Sequence, residues 1–355
     1  MDGRQNGERK RPRKATITDV ASLAGVSTKT VSRVLNGEAT VRSETRDRIR
    51  EAMTLLQYRP NSPGRMLAGR KTYLLGLIYN ANSSYITSIQ NGALQACRSE
   101  HYDLLIHPCA YTDPALMGEL RYLIESPRVD GLLLIPPISD LPAVMELMDE
   151  IDAPNVIISP ASPTASGWTV GTNDREVSAG VVKHLADLGH ERIAFVQAHP
   201  DHLAMASRYD GFLDGLRACD LRIDSRMVMR GDNTAASGLE CGRKLLGRKR
   251  RPTAIFCAND HMASGVMRAA HEAGLSIPED ISLAGFDDIP LASQLYPSLT
   301  TVRQPLQEMA CLAGELLIRR LRGGEPEDDG QRTMNSQIIV RESTGPAPVE
   351  DGLQR

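Results

Sequence analysis

The chain has 355 residues, more than one hydrophobic core ordinarily supports, so two or three domains are expected. No apolar run reaches the roughly 18 residues that cross a bilayer. The polar, basic start at residues 9–14 is followed by no apolar signal core, so a cytoplasmic protein without a membrane partner is expected. The six cysteines are scattered without a Cys-x-x-Cys pair, which argues against a disulfide framework and a zinc module. The net charge of −3 hides an asymmetry: residues 1–72 hold 16 basic against 7 acidic side chains, +9, leaving −12 for the rest. A basic head on an acidic body points to a polyanionic partner for the head alone.

Residues 1–15 are expected to be a disordered basic tail. Thr16 then reads as an N-cap, with Asp19 completing a capping box. The helix this opens, from about residue 17 to 24, carries Val20, Ala21 and Ala24 on one face. Gly25 turns the chain and Ser27 caps a second helix, from Thr28 to about Asn36, buried through Val31, Val34 and Leu35. Two short helices around a glycine turn make a helix-turn-helix unit. Ser43 is expected to cap a third helix, with Ile49, Ala52, Met53 and Leu56 at helical spacing. On the polar face of the second helix, Lys29 and Arg33 lie one turn apart beside Thr28 and Ser32. Lysine and arginine donate to guanine edges in the major groove, and the first-turn N–H groups around Ser27 suit a phosphate.

Residues 16–36 (Thr-Ile-Thr-Asp-Val-Ala-Ser-Leu-Ala-Gly-Val-Ser-Thr-Lys-Thr-Val-Ser-Arg-Val-Leu-Asn) resemble the DNA-binding head of the lactose/galactose repressor family. Ser-Glu-Thr-Arg-Asp-Arg-Ile at 43–49 and Tyr-Arg-Pro-Asn at 58–61 continue the match in order. The resemblance implies that Thr28, Lys29 and Arg33 read bases. It also implies that Ser27, Thr30, Ser32 and Asn36 anchor or orient the helix on the backbone. After the head (16–60), residues 61–72 would form the family's hinge helix and linker, with Leu67 as an apolar wedge in the minor groove. Pro63 and Gly64 depart from the family there, and Gly64 disfavours a helix by roughly 1 kcal/mol relative to alanine. The run at 64–72 imitates a phosphate-binding loop, but Arg70 breaks the spacing and no strand precedes it.

From Tyr73 onward, short apolar runs alternate with amphipathic stretches, the pattern of βαβ units and a parallel sheet. Strands are expected from about Tyr73, Tyr102, Gly131 and Asn155, then from Arg192, Ala254, Ile281 and Gln337. Two such series predict two lobes, each a doubly wound sheet, with a ligand between them at the carboxyl ends of strands. The resemblance continues through Leu-Gly-His-Glu-Arg-Ile-Ala (188–194), Ser-Arg-Tyr-Asp-Gly-Phe (207–212), Ala-Asn-Asp (258–260), Gly-Phe-Asp-Asp (285–288), Leu-Thr-Thr-Val-Arg-Gln-Pro (299–305) and Val-Arg-Glu-Ser-Thr (340–344). It implies a periplasmic-binding-protein-like α/β body, residues 73–345. Lobe 1 would span about 73–171 and 303–324, lobe 2 about 172–300 and 335–345, with a tail at 346–355. The chain would cross between lobes near Gly171, near Thr301 and at the end of the last long helix.

By the same resemblance Arg208, Asn259 and Asp287 contact the effector, with Asn80, Tyr85, Ser159 and Gln304 at the cleft wall. Arginine forks onto ligand oxygens, Asn259 offers a donor and an acceptor, and Asp287 accepts from hydroxyls or an amine. Trp168 reads as a packing residue or a part of the cleft lining, with packing favoured, and His190 as a capping or packing residue. No nucleophile elbow, dinucleotide fingerprint or metal-ligand spacing is present, so neither an enzyme nor a cofactor is expected. An exported solute-binding protein would share the body but not the head. The expected protein is a sequence-specific regulator, a repressor controlled by a small molecule, most simply a carbohydrate. The alternative is a corepressor-dependent regulator sensing a nucleobase. Its partners would be a pseudo-palindromic double-stranded operator and a second copy of itself, since one head reads one half-site. The tail after Ser343 shows no heptads, so a dimer rather than a tetramer is expected.

Overall fold

The computed structural model describes residues 15–35, 41–58, 71–81, 83–126, 128–161, 167–325 and 330–349. The expectations for the basic tail, Asn36, Pro63, Gly64 and the Leu67 hinge lie outside the described residues. The chain divides into two compact units, residues 1–72 and 73–355.

The first unit holds helices α1 (Ile17–Ala24), α2 (Thr28–Leu35) and α3 (Ser43–Leu55). The capping box is present: Asp19 N–H donates to Thr16 Oγ1 at 3.4 Å, and Thr16 N–H donates to Asp19 Oδ2 at 2.7 Å. Gly25 ends α1 at φ +64°, where a side chain is disfavoured. Ser27 caps α2 by accepting from Thr30 N–H at 3.1 Å. Ser43 does not cap α3. Arg42, extended at φ −58° and ψ 145°, takes the cap position one residue earlier, without a side-chain cap bond. Val20, Ala21, Ala24, Val31, Ile49 and Ala52 form the small core.

The second unit contains two parallel sheets. In lobe 1 these are β1 (Leu74–Tyr79), β2 (Asp103–Pro108), β3 (Gly131–Leu134), β4 (Asn155–Ile158) and β5 (Thr169–Thr172). The helices between them are α4 (Ser84–Ser99), α5 (Leu116–Glu125) and α6 (Pro142–Glu150). Lobe 2 follows with α7 (Asp174–Asp187), β6 (Ile193–Gln197), α8 (Ala206–Ala218), β7 (Val228–Arg230), α9 (Ala235–Leu246), β8 (Ala254–Cys257), α10 (Asp260–Glu272), β9 (Ser282–Ala284) and α11 (Pro290–Gln294). The last elements are β10 (Thr301–Arg303), α12 (Leu306–Leu321), β11 (Gln331–Met334) and β12 (Gln337–Ile339). Lobe 1 orders its strands β11-β5-β4-β3-β1-β2, lobe 2 β7-β6-β8-β9, and β10 pairs antiparallel with β12.

Strands β5, β7, β10 and β11 are not among the expected eight, and β11 moves the third crossing. The chain does not change lobes at the end of α12. It first returns to lobe 1, where β11 pairs in parallel with β5, and crosses only before β12. Gln-Arg-Thr-Met on a sheet edge is half exposed, so it lacks the apolar run that marks the buried strands. Trp168 packs in the lobe 1 core and His190 in lobe 2, where its ring nitrogens meet Thr253, Ser282 and the Gly345 carbonyl.

Helix pairs within the body approach closely through glycine. A Cβ on Gly265 of α10 would lie 2.0 Å from the Ala235 carbonyl oxygen of α9. One on Gly238 of α9 would lie 2.1 Å from that of Met262. These small faces let the two helices seat side by side against the strands whose ends build the cavity described next.

Candidate functional sites: a recognition helix and an interlobe cavity

On the head, Thr28, Lys29 and Arg33 are exposed along α2, Thr30 and Ser32 are half-buried, and Val31 anchors the helix in the core. Ser27 spends its hydroxyl on its own helix, through Thr30 N–H and the Thr30 hydroxyl at 2.9 Å. It therefore orients α2 before it touches any phosphate.

In the body, a cavity of about 660 Å³ opens where strands of both lobes end. Asn80 follows β1, Pro136 and Pro137 follow β3, and Ser159 follows β4. From lobe 2, Asp232 follows β7, Asn259 follows β8 and Asp287 follows β9. Helix N-termini and loops converge at these carboxyl ends, which is why ligands settle there in open α/β sheets.

The floor of this cavity is a buried ion cluster. Arg208, 4% exposed, donates from Nε to Asp174 Oδ2 at 2.8 Å. Its Nη1 donates to the Ala258 carbonyl at 2.5 Å and to Asp287 Oδ1 at 3.2 Å. The guanidinium also lies 3.7 Å from the centre of the Phe286 ring. Asp287 Oδ1 further accepts from Gln304 Nε2 at 2.7 Å. Burial pushes the Asp287 carboxyl up from 3.8 to about 6, against the pull of Arg208. Asp287 itself sits at φ +110° and Asp288 at +52°, backbone that a non-glycine residue holds only under constraint. The constraint is visible. Asp260 accepts from Ile289 N–H at 2.9 Å and from the Thr301 hydroxyl at 2.5 Å, and Asp288 pairs with Arg303 and Arg341 at 2.6 Å each.

The other expected residues sort by distance from this floor. Tyr85, in the first turn of α4, bonds the Ser159 hydroxyl at 2.9 Å, and burial pushes its phenol up to about 12. Both line the cavity, as does Asn80, whose Oδ1 accepts from Tyr111 N–H at 3.4 Å. Asn259 lines it too, but caps α10 through Met262 N–H at 2.8 Å and donates to the Asn233 carbonyl at 3.1 Å. Gln304 does not line the cavity. It follows β10 and donates to Asp287 Oδ1, so it orients that carboxylate. Asp174, His202, Asp232, His261 and Arg332 line the cavity without having been anticipated. Asp174 opens α7, so in sequence it reads as a carboxylate placed to suit the helix dipole. Beside His202, two bonds join the lobes: Tyr111 Oη to Asp201 Oδ2 and Leu203 N–H to Asp140 Oδ2, each 3.1 Å.

A helix-turn-helix head followed by a body with a cavity at strand ends is the architecture of a DNA-binding transcription regulator. Residues 16–61 match the family described as bacterial regulatory proteins, lacI family, and residues 182–344 match a periplasmic binding protein-like domain. The HTH-type transcriptional repressor PurR of Vibrio vulnificus (strain CMCP6) is 31% identical over 332 residues, 93% of this chain and 98% of its own. The HTH-type transcriptional regulator AscG of Escherichia coli (strain K12) is 30% identical over 92% of this chain and 98% of its own. Among solved structures, the lac repressor dimer bound to operator and the anti-inducer ONPF superposes with TM-score 0.72 and 26% identity, covering 94% and 100% of the two chains. The transcriptional regulator CelR-cellobiose complex superposes with TM-score 0.71 and 28% identity, covering 93% and 99%. The chain belongs to the lacI family of bacterial transcription regulators. Among the described residues, no helix is long and apolar enough to cross a membrane.

Proposed function

We propose that this chain is an operator-binding repressor that works as a homodimer and is controlled by a sugar in the interlobe cavity. The observation that carries the effector class is the Asp174–Arg208–Asp287 floor. Nε and Nη1 of Arg208 are engaged, Nη2 makes no hydrogen bond among the described residues, and Asp287 Oδ2 makes none either. A donor and an acceptor side by side match two neighbouring hydroxyls, one giving to Asp287 and the other taking from Arg208. The head supplies base contacts from Thr28, Lys29 and Arg33, and a two-fold dimer would set two such helices on a pseudo-palindrome.

A second reading, corepression by a nucleobase, draws on the PurR repressors among the relatives. A flat base is held by ring faces. The cavity offers Tyr85, His202 and His261 as ring faces, but its buried floor is the Asp174–Arg208–Asp287 cluster, whose spare donor and acceptor suit hydroxyls, so this reading is placed second. Calorimetric titration of the full chain with glucose, galactose, ribose, cellobiose, hypoxanthine and guanine separates the two. A sugar should bind, and Asp287→Asn should weaken it by about 1.5–3 kcal/mol, the range for a hydrogen bond to a charged group. Binding of a base and of no sugar would overturn the proposal.

A further inference from the structure

The cavity carries a charge that its own side chains do not balance. Among the described residues, Asp174, Asp232 and Asp287 line it against Arg208 and Arg332, so three carboxylates meet two guanidinium groups and one negative charge is left over. His202 and His261 add nothing at neutral pH, since burial lowers both below the ordinary 6.5. Asp232 is held ionised by hydrogen bonds from Ser237 and Thr234.

Three helix N-termini at the cavity are capped by side chains of this chain. Ser83 caps α4 through Ile86 N–H, Thr234 caps α9 through Ser237 N–H, and Asn259 caps α10 through Met262 N–H. Each of these caps takes up one first-turn N–H that a phosphate would otherwise use. Arg208 is pinned between two carboxylates, so it has no net charge to lend to a third. A phosphorylated or acidic sugar would meet a floor of its own sign.

Asp287 is the open position. It is 7% exposed, it lines the cavity, and its Oδ2 makes no hydrogen bond among the described residues. A hydroxyl would supply the missing donor and leave the charge buried; an ammonium would supply the donor and cancel the charge. We propose that the effector is an amino sugar whose ammonium rests on Asp287 Oδ2, with a neighbouring hydroxyl on Arg208. This assignment rests on the sugar reading above and narrows it to cationic members of that class.

The test is calorimetry on the full chain with glucosamine, galactosamine and mannosamine, each beside its neutral parent and its N-acetyl derivative, at pH 7. One amine should bind about tenfold or more tightly than both its parent and its N-acetyl form, a gap of about 1.4 kcal/mol. Asp287→Asn should erase that advantage, and Asp232→Asn should shrink it. A melting curve for each variant confirms that it is folded. A parent sugar that binds as tightly as its amine overturns the cationic assignment and leaves the sugar reading standing. Failure of all three amines overturns the cationic assignment, and the sugar reading is then decided by ribose and cellobiose in the titration above.

Discussion

At the residue scale, Asp287 joins backbone strain, burial and an open acceptor. Its carboxyl is raised from 3.8 to about 6, so the folded protein holds that proton more tightly than the unfolded chain does. The contribution to stability is therefore full below about pH 4 and is lost as pH rises through about 6. Asp287→Asn cannot titrate. The wild-type melting temperature should fall relative to that of Asp287→Asn between pH 4 and pH 7, and parallel profiles would show that the carboxyl is not desolvated as described. A sequence reading found Arg208 and Asp287 because they sit in recurrent motifs. It passed over Asp174, 34 residues from Arg208, because a carboxylate in the first turn of a helix needs no further explanation.

At the element scale, the head was readable because its determinants are local. Thr16, Asp19 and Gly25 act within a few residues of one another, and the structure retains each role. The edge strand β11 was not readable, since half-exposed polar residues give no apolar period. The α9–α10 pair depends on contacts that no periodicity reveals. A Cβ on Gly265 would meet the Ala235 carbonyl at 2.0 Å, against backbone that cannot rotate away. Gly265→Ala should destabilise the body by about 1–3 kcal/mol, the usual penalty for overpacking. Urea denaturation checks this, and an unchanged midpoint would mean that the two helices separate freely.

At the scale of the whole molecule, charge and compactness divide the chain at the same place. The +9 head unit ends at Thr72 and the −12 body begins at Tyr73. DNA affinity of the full chain should fall steeply with added salt, because lysine and arginine displace condensed counterions from the duplex. Residues 73–355 alone should lose DNA binding at all salt concentrations while binding effector as the full chain does. A body fragment that still shifted DNA in a gel would move the nucleic-acid site out of the head.

The sequence by itself determined most of the helices and the apolar central strands, but not the short strands β5, β7, β10 and β11. Capping boxes, helical spacing and alternating βα runs are set by residues a few positions apart, and the physics that reads them is equally local. It also determined the exposed polar face of α2, where Lys29 and Arg33 stand one turn apart. Only the tertiary structure decided the site. Asp174, Arg208 and Asp287 lie 34 and 79 residues apart, and Gln304 orients Asp287 without lining the cavity. Strand order and the crossings bring these side chains together, and burial then fixes their charge. Both depend on how distant segments pack, which no stretch of neighbouring residues encodes.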